Sequence, residues 1–329
     1  MIKTPDFWTI RGPIAIALLP LSLLWAAGSA LHHLMATAQK ADLPVICIGN
    51  LTAGGTGKTP VTAFLYDQLS ARGYRPAILM RGYGGTARQP VWVDHSLDQA
   101  DLCGDEAVML AESRDVLVTR DRVAGAKMIA AAGRYDIILM DDGLQNPSIS
   151  KDFRIAIFDG SFGVGNGLLL PAGPMRVSLQ SGLKAVDMVI VNGADVTGLG
   201  AKLPPATVRH DGRLRPDQNV IESFDDAPLL GFAGIGRPKR FFTTLVETGA
   251  NLVHQLAFAD HHPYSETDLV RLQEDAARYG ATLITTQKDW VRLPVEWRDK
   301  VSFLPVSLEL DNVDAVLDRI TAVLSGGRD

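Results

Sequence analysis

Cysteine is scarce in this 329-residue chain, in which Cys47 and Cys103 are the only two. Two thiols without ligand-like spacing predict a reducing compartment, and no cluster of cysteine or histidine suggests a bound metal. No stretch is strongly basic and the formal net charge is −5, which argues against nucleic acid as a partner. The sequence likewise gives no sign of an internal repeat or of an obligatory protein partner.

Charge is absent from residues 12–31, where isoleucine, alanine and leucine dominate. As a helix, about 20 such residues would extend roughly 30 Å, the thickness of a bilayer core. Lys3 and Arg11 precede the run as in a signal peptide, whereas Pro13 and Pro20 interrupt a straight rod. The run is therefore interpreted in four ways: a cleaved signal peptide, a membrane span, a buried core helix, or a monotopic anchor lying in one leaflet.

A glycine-rich loop is the most informative motif. An apolar run at 43–49 precedes Thr52-Ala53-Gly54-Gly55-Thr56-Gly57-Lys58-Thr59, and residues 62–71 have a helical pattern. In this setting the N–H groups of the loop and the helix dipole would hold phosphate, Lys58 would reach the terminal phosphates, and Thr59 would bind Mg²⁺. Thr52 stands where the usual pattern has glycine. The loop predicts a nucleoside triphosphate enzyme, against the alternative of a turn that binds nothing.

The same loop bears on the apolar N-terminus. ATP and Mg²⁺ are cytosolic, which counts against export of the chain. A single span oriented by the positive-inside rule would put Lys58 on the wrong side of the membrane. The sequence therefore favours a monotopic anchor.

Acidic residues follow or precede other regular elements. Asp141 and Asp142 end the hydrophobic run at 135–140, as in phosphate-loop proteins that hold Mg²⁺ there, although Asp-Asp-Gly is also a common turn. Asp105 and Glu106 begin a helical run, where N-capping is their alternative role. Together with the glycine-rich loop, these carboxylates predict a metal–nucleotide site.

Other polar residues lie in loops after predicted strands. Asp260-His261-His262 follows the run at 252–258, at a carboxyl end where open α/β sheets bind ligands. An Asp–His acid–base pair and a structural histidine fit this pattern equally well. Arg81 and Arg176, in turn-rich loops, suit an anionic ligand, although surface arginines are usually only solvated.

Short apolar runs alternate with helical patterns along most of the chain, which predicts a parallel sheet covered by helices. The fold class expected is α/β, a P-loop NTPase-like αβα sandwich with a second, smaller α/β lobe. The expected division is an N-terminal membrane-associated helix at 1–36, the kinase domain at 37–205, a linker or ribbon at 206–226, the smaller lobe at 227–310, and a C-terminal helix at 311–329 that caps either domain.

Taken in order, the motifs resemble the tetraacyldisaccharide 4′-kinases, the lipid A 4′-kinases of bacteria that make lipopolysaccharide. The resemblance runs to about residue 293 and rests on Ile48-Gly49-Asn50-Leu51-Thr52 with the glycine-rich loop, Arg81-Gly82-Tyr83-Gly84-Gly85, Gly104-Asp105-Glu106, Asp141-Asp142-Gly143-Leu144-Gln145, Leu170-Pro171-Ala172-Gly173-Pro174, Gly234-Ile235-Gly236, Asp260-His261 and Lys288-Asp289. Departures are Ala107 for proline, Arg237 for asparagine, Val177 for an acidic residue and Gln287 for glutamate. Gln287 weakens the case for a carboxylate contact to nucleotide.

This resemblance implies ATP- and Mg²⁺-dependent phosphorylation of the 4′-hydroxyl of a tetraacylated glucosamine disaccharide 1-phosphate. The acylated lipid would lie in the cytoplasmic leaflet of the inner membrane, which gives the anchor a purpose. The resemblance implies Asp105 as the base, assisted by His261, with Lys58 and Asp142 also catalytic. It further implies that residues 52–59 cradle ATP, and that the other sites are Thr59, Asp141, Asp142 and Glu106 for Mg²⁺, and Arg81, Asn50, Gln145 and Arg176 for the substrate.

Two other classes of protein stay open at this point. A regulatory NTPase or a metallochaperone-type GTPase would hydrolyse nucleotide without the lipid and would need no apolar N-terminus. A membrane-associated binding protein would not turn over ATP at all.

Overall fold

The computed structural model describes residues 5–95, 97 and 100–325. Within them the strands are β1 Val45–Gly49, β2 Pro76–Met80, β3 Val91–Trp92, β4 Val116–Val118, β5 Ile137–Asp141, β6 Phe153–Asp159, β7 Met188–Asn192, β8 Arg209–Pro216, β9 Leu229–Ala233, β10 Leu252–Ala257, β11 Thr282–Thr286, β12 Val301–Leu304 and β13 Val306–Leu310. The α-helices are α1 Pro13–Ala17, α2 Leu19–Met35, α3 Lys58–Ala71, α4 Ala100–Cys103, α5 Asp105–Ala111, α6 Arg122–Ala131, α7 Leu179–Lys184, α8 Gln218–Glu222, α9 Pro238–Glu247, α10 Glu266–Tyr279, α11 Gln287–Trp290, α12 Val295–Arg298 and α13 Val313–Ser325.

The larger sheet has nine strands in the order β13-β8-β7-β6-β1-β5-β2-β4-β3. All neighbours pair in parallel except β3 with β4 and β13 with β8. Side chains of β1 alternate between two cores: Ile46 and Ile48 pack with the α3 side, and Val45 and Cys47 with the α6 side. Burial on both faces explains why the strands read as unbroken apolar runs. The αβα sandwich expected from the sequence is present.

Two strands of this sheet lie outside the predicted first domain. Residues 206–226, expected to be a linker or ribbon, contain β8, which pairs with β7 and with β13. The structure also moves β13 out of the predicted smaller lobe, 227–310, and into the large sheet. Helix α13 follows β13 and buries Val316 against the large core. In β8 more exposed and less exposed residues alternate, because only one face of the strand is covered. Its exposed face carries charged residues, so the sequence lacks the apolar run that indicates a strand buried on both faces.

The smaller sheet contains four parallel strands in the order β10-β9-β11-β12. Helix α10 packs on one face through Leu269 and Leu272, and α9 packs on the other through Phe242 and Leu245. A capping box at Ser265 begins α10. This lobe is therefore a second three-layer α/β unit. The carboxyl ends of its strands face the large lobe: Lys288, just after β11, bonds to Glu106, which bonds to Thr59 at the start of α3.

The N-terminal segment lies against the large lobe with much of its apolar surface uncovered. Leu23 is 72% exposed and Leu24 is 69% exposed. On the covered side, the Ser22 hydroxyl donates to the Leu169 carbonyl at 2.9 Å and Trp25 Nε1 donates to the Arg176 carbonyl at 3.0 Å. Among the described residues, no helix has the length and apolar character needed to cross a membrane.

Candidate active site

The phosphate loop joins β1 to α3 at the carboxyl edge of the large sheet. Helix α3 begins at Lys58, four residues before the sequence predicts, because Pro60 in the first helical turn needs no hydrogen-bonded N–H. Gly57 caps this helix with φ +83°, and a Cβ there would overlap Asn192 Nδ2. Glycine is therefore required at this point by both conformation and space. The N–H groups in the first turn of α3 have no partner within the helix and lie at the end of the loop, as phosphate binding requires.

Polar side chains hold the loop from inside. Asn50 Nδ2 donates to the Gly54 carbonyl at 3.1 Å, and Asn192 Nδ2 donates to the Thr56 carbonyl at 3.4 Å. Thr52 is fully buried and pairs with Met175 through an isolated bridge, while the Ala53 N–H donates to the Pro174 carbonyl at 2.7 Å. Thr52, in place of the usual glycine, thus connects the loop to the proline-containing segment at 170–175. The Ala53 N–H is engaged there rather than turned to a phosphate.

Asp141 and Asp142 stand beside the loop, because β5 is the neighbour of β1 and Asp141 lies opposite Ile48. Asp141 is 3% exposed, and its Oδ1 has no hydrogen-bond partner among the described residues. Burial raises the pKa of Asp141 to about 7, in spite of the opposing charge of Lys58. Asp142 is more exposed; its Oδ1 lies 4.0 Å from Lys58 Nζ. The two carboxylates are thus in different environments: Asp141 is buried and its Oδ1 has no partner among the described residues, whereas Asp142 is more exposed and lies near Lys58 and Arg176.

Glu106 connects the phosphate loop to the small lobe. Its Oε2 accepts the Thr59 hydroxyl at 3.2 Å, and its Oε1 accepts Lys288 Nζ at 3.1 Å. Thr59 is the first-turn hydroxyl predicted to bind Mg²⁺. Three of the four predicted metal residues, Thr59, Glu106 and Asp141, therefore converge on the Lys58 end of α3, with Asp142 beside Lys58.

Asp105 meets the small lobe through two partners. His261 Nδ1 lies 2.9 Å from Asp105 Oδ2, and Arg292 Nε donates to the same oxygen at 2.6 Å. Burial by itself would raise the pKa of Asp105, but the hydrogen bond with His261 and the charge of Arg292 outweigh it and lower that pKa. His261 has φ +59°, an uncommon conformation for a residue other than glycine. The predicted Asp105–His261 pair is present.

His262 has a different place. Its Nε2 lies 3.0 Å from Asp268 Oδ2, and its ring packs 4.8 Å from the ring of Phe258, centroid to centroid. These partners belong to the small lobe. The geometry therefore distinguishes two adjacent histidines that the sequence pattern alone does not.

A basic cavity of about 290 Å³ opens beside Asp142. Predicted substrate residues Arg81, Gln145 and Arg176 line it, and Arg176 Nη1 donates to Gln145 Oε1 at 3.2 Å. Asn50, the fourth predicted substrate residue, is fully buried and its carbonyl accepts Gln145 Nε2 at 2.9 Å. Asn50 therefore supports the loop and does not face the cavity.

The sequence reasoning missed several residues at these sites. Arg120, Arg122 and His32 also line the basic cavity. Arg122 is 3% exposed and donates to the Thr119 carbonyl at 2.9 Å; burial lowers its pKa to about 10. Arg292 contacts Asp105. The sequence positions of these two arginines could have indicated them. Arg122 follows the carboxyl end of β4, and Arg292 lies three residues after Asp289 of the Lys288-Asp289 motif.

Comparisons with known proteins show the family to which the chain belongs. A family model described as tetraacyldisaccharide-1-P 4′-kinase (LpxK) matches residues 14–325. The chain belongs to this family. A tetraacyldisaccharide 4′-kinase of Methylobacterium sp. (strain 4-46) is 43% identical over 99% of both chains. One of Rhodospirillum centenum is 40% identical over 100% of this chain and 98% of its own length.

A solved structure supports the fold. The "apo" form of LpxK from Aquifex aeolicus, in complex with ATP, is similar with a TM-score of 0.79 at 22% identity, over 94% of this chain and 99% of that one. Family membership makes the chain a kinase, a phosphotransferase that acts on a hydroxyl group. The family resemblance, the fold class and the enzyme class predicted from the sequence are confirmed.

The departures from the family pattern have identifiable surroundings in this chain. Ala107 is buried in the large core. Arg237 Nη1 donates to Asp159 at 3.0 Å, and Gln287 Nε2 donates to Glu112 at 2.7 Å. Val177 packs on the core beneath the Pro-rich loop. Arg237 and Gln287 thus make contacts between the lobes that the usual residues would make differently.

Proposed function

We propose that the chain transfers the γ-phosphoryl group of ATP to the 4′-hydroxyl of a tetraacylated glucosamine disaccharide 1-phosphate at the cytoplasmic face of the inner membrane. The observation that carries this proposal is the adjacency of Asp105 and Glu106 at the start of α5. Glu106 bonds to Thr59 of the phosphate loop, and Asp105 bonds to His261 of the small lobe. A base for the acceptor and a ligand for the phosphate side therefore stand on consecutive residues.

The residues around the loop fit ATP with Mg²⁺. Asp141 Oδ1 and Thr56 Oγ1 are buried without hydrogen-bond partners among the described residues, and buried polar atoms are normally paired. Mg²⁺ usually takes one or two carboxylates together with phosphate oxygens and water. The protein ligands would come from Thr59, Asp141, Asp142 and Glu106, and ATP and solvent would provide the rest. When bound, the ion would neutralise charge on the phosphates. The free N–H groups from Gly54 to Thr59 and the Lys58 ammonium would hold the β- and γ-phosphates.

Asp105 is suited to accept the proton of the 4′-hydroxyl. The contacts with His261 and Arg292 both end on Oδ2, and Oδ1 makes no hydrogen bond to any described residue. His261 orients the carboxylate and lies 24% exposed, so the pair opens toward the space between the lobes. A carboxylate kept ionised by His261 and Arg292 is ready to act as a base near neutral pH.

The basic cavity supplies a place for the 1-phosphate of the disaccharide. Arg81, Arg120 and Arg176 line this cavity. A guanidinium group can donate two parallel hydrogen bonds to the oxygens of one phosphate. His32 of α2 also lines the cavity, so the cavity lies next to the N-terminal segment. A lipid headgroup bound there would have its acyl chains near the exposed leucines of α2.

The exposed apolar side chains of α2 support a monotopic anchor. Leu23, Leu24 and Leu34 are 72%, 69% and 84% exposed, respectively. Burying such side chains in a leaflet contributes roughly 1.5–3 kcal/mol each. An anchor of this kind brings the active site to a lipid that does not leave the membrane.

Mass spectrometry tests the activity. The full chain is incubated with ATP, Mg²⁺ and the tetraacyl disaccharide 1-phosphate in mixed micelles, and the lipid should acquire one phosphoryl group. Lys58→Ala should abolish the product, whereas the exposed Lys127→Ala should not. ATP hydrolysis without a new phospholipid is the behaviour of a regulatory NTPase and would contradict the proposal; full activity of Lys58→Ala would contradict the loop assignment.

Vesicle flotation tests the anchor. The variant with Leu23→Gln and Leu24→Gln should leave the vesicle fraction. A matched control replaces Val246 and Val295, which are 61% and 60% exposed on the small lobe. Equal partitioning of the two double variants would refute the anchor.

A further inference from the structure

Lys288 is a motif residue whose role the proposed function leaves unassigned. Its ammonium group donates to Glu106 Oε1 at 3.1 Å and lies 3.3 Å from His261 Nε2. Glu106 in turn accepts the Thr59 hydroxyl, and His261 contacts Asp105. Lys288 is thus in contact with Glu106, the partner of Thr59, on one side and with His261, the partner of Asp105, on the other.

The backbone that carries Lys288 is held in place by a buried carboxylate. Asp289 is fully buried, and its two oxygens accept Thr286 Oγ1 at 2.7 Å, Tyr264 Oη at 3.0 Å and Arg292 Nη1 at 2.9 Å. These bonds fix the first turn of α11 at the end of β11. The stem of Lys288 therefore starts from a rigid point, and its direction is set by the fold of the small lobe.

The contacts of Lys288 also define the tautomer of His261. An ammonium group can only donate, so Nε2 of a neutral His261 must accept from Lys288. The hydrogen of the imidazole is then on Nδ1, from which Asp105 Oδ2 accepts it at 2.9 Å; Arg292 Nη2, 3.3 Å from the same nitrogen, makes no hydrogen bond to it in this tautomer. The histidine and the lysine act in one chain of hydrogen bonds that ends on the carboxylate proposed as the base.

The location of the ammonium group has a chemical consequence. In phosphoryl transfer the acceptor oxygen, the phosphorus and the leaving oxygen lie roughly in line, and negative charge spreads over the three equatorial oxygens. Asp105 marks the acceptor side of that line, and Thr59 marks the nucleotide side. Lys288 contacts Glu106, which bonds to Thr59, and His261, which bonds to Asp105. Its ammonium group therefore lies beside the line that joins the acceptor side to the nucleotide side. Its side chain is 19% exposed, so solvent screens its charge only in part.

We propose that Lys288 is a catalytic residue whose ammonium group, on nucleotide binding, donates to an equatorial oxygen of the γ-phosphoryl group during transfer. The bond from the 4′-oxygen to phosphorus forms as the bond from phosphorus to the β,γ-bridging oxygen breaks; the electron pair leaves with ADP and the hydroxyl proton goes to Asp105. The small lobe thereby supplies a cation that the phosphate loop lacks on this side. This inference rests on the proposed function.

The test compares Lys288→Met with Lys288→Arg and with Lys239→Met, an exposed lysine of the same lobe. Single-turnover rates are measured with saturating ATP and lipid. An added cation of this kind accelerates P-loop enzymes about 10³–10⁵-fold, so we expect Lys288→Met to slow transfer at least about 100-fold. Its KM for ATP should stay within about threefold, Lys288→Arg should recover at least about tenfold, and Lys239→Met should match the parent protein.

Two further measurements separate this role from a structural one. Lys288→Met should lose affinity for ADP with aluminium fluoride and lipid, but keep its affinity for ADP alone. Recovery of the rate at high Mg²⁺ would mean that Lys288 only positions Glu106 for the metal, and would overturn the proposal. So would an unchanged rate, or equal losses of ADP and analogue affinity. Failure of the parent protein to phosphorylate the lipid would instead contradict the proposed function. Thermal unfolding confirms that each variant is folded, and Lys288→Gln replaces Lys288→Met if that variant is not.

Discussion

The large and the small sheet both present functional groups at the carboxyl ends of parallel strands, but they do so by different means. The large sheet combines backbone N–H groups, from the glycine-rich loop and the N-terminus of α3, with the Asp141 carboxylate at the end of β5. The small sheet uses side chains, chiefly His261, Lys288 and Arg292, which reach across to α5. Helix α5 is thus the place where the two halves of the site meet.

The two halves also differ in charge. The large-sheet half has buried or partly buried carboxylates, and one of them, Asp141, carries a pKa raised to about 7 by burial. The small-sheet half brings cations, of which Arg292 is 6% exposed in its side chain. Buried charges are costly unless paired, so each half partly compensates the other. The site is therefore complete only when both lobes contribute.

The largest expected effect comes from removing Asp105, the proposed base, where the two halves meet on α5. Asp105→Asn should lower kcat by roughly 10²–10⁴-fold because proton transfer contributes that much to hydroxyl chemistry. The Kd of ATP should stay nearly constant, since Asp105 is proposed to contact the acceptor and not the nucleotide. Steady-state kinetics and calorimetry check this. An equal loss in both quantities would reassign Asp105 to the nucleotide half.

The next effect tests how much the side-chain contacts of Arg292 contribute to the stability of the small-lobe half of the site. Arg292→Met removes a buried guanidinium that bonds to Asp105, Asp289 and the Gly234 carbonyl. Breaking such a pair should cost about 3 kcal/mol of unfolding free energy. The control Arg278→Met removes an exposed arginine whose side chain is 70% exposed, and should cost little. Urea unfolding monitored by tryptophan fluorescence measures both; equal stabilities would contradict the network.

A pH effect distinguishes the carboxylates of the large-sheet half. The pKa of Asp141 is raised from 3.8 to about 7 in the folded chain, so the unfolded chain binds fewer protons between those values. Stability without nucleotide should therefore fall as pH rises from about 4 to about 7, by at most roughly 1.4 kcal/mol per pKa unit. Asp141→Asn should reduce this slope, stabilise the chain at pH 8 and abolish transfer. An unchanged slope in unfolding experiments would show that Asp141 is not the group responsible.

The smallest expected effect concerns the contact at Gln287. Gln287 Nε2 donates to Glu112 Oε2 at 2.7 Å, and the glutamate usual in the family would place a second carboxylate there. Gln287→Glu should cost about 0.5–1 kcal/mol of unfolding free energy, and adding Glu112→Gln should restore it. Thermal unfolding of the single and double variants measures this coupling. Additive effects would indicate that the two side chains act independently.

The nucleotide half was readable from the sequence for a physical reason. A phosphate loop needs glycine at fixed points, as at Gly57, and needs Lys58 and Thr59 at fixed offsets from it, so it leaves a contiguous pattern. Asp141 was predictable because it ends a strand that was itself predictable.

The small-lobe half was less readable. Arg292 reaches Asp105 from 187 positions away, and no local pattern encodes that contact. The predicted boundary placed residues 306–310 in the smaller lobe, whereas they form β13 and pair with β8 in the large sheet; β8 itself lies in the segment predicted to be a linker or ribbon. Asn50 was predicted to bind the substrate, but it is fully buried and does not face the cavity. Burial depends on the packing of the whole chain, so the local sequence did not reveal it.

The coupling between Asp105 and His261 tests the central claim most directly, because it joins the two lobes. Single-turnover transfer is measured for Asp105→Asn, His261→Asn and the double variant; asparagine tolerates the positive φ of position 261. If the two residues act as one unit, the double variant should be no slower than Asp105→Asn alone, within about threefold. A double variant slowed by the product of the two single losses would show that the residues act independently and would contradict the account.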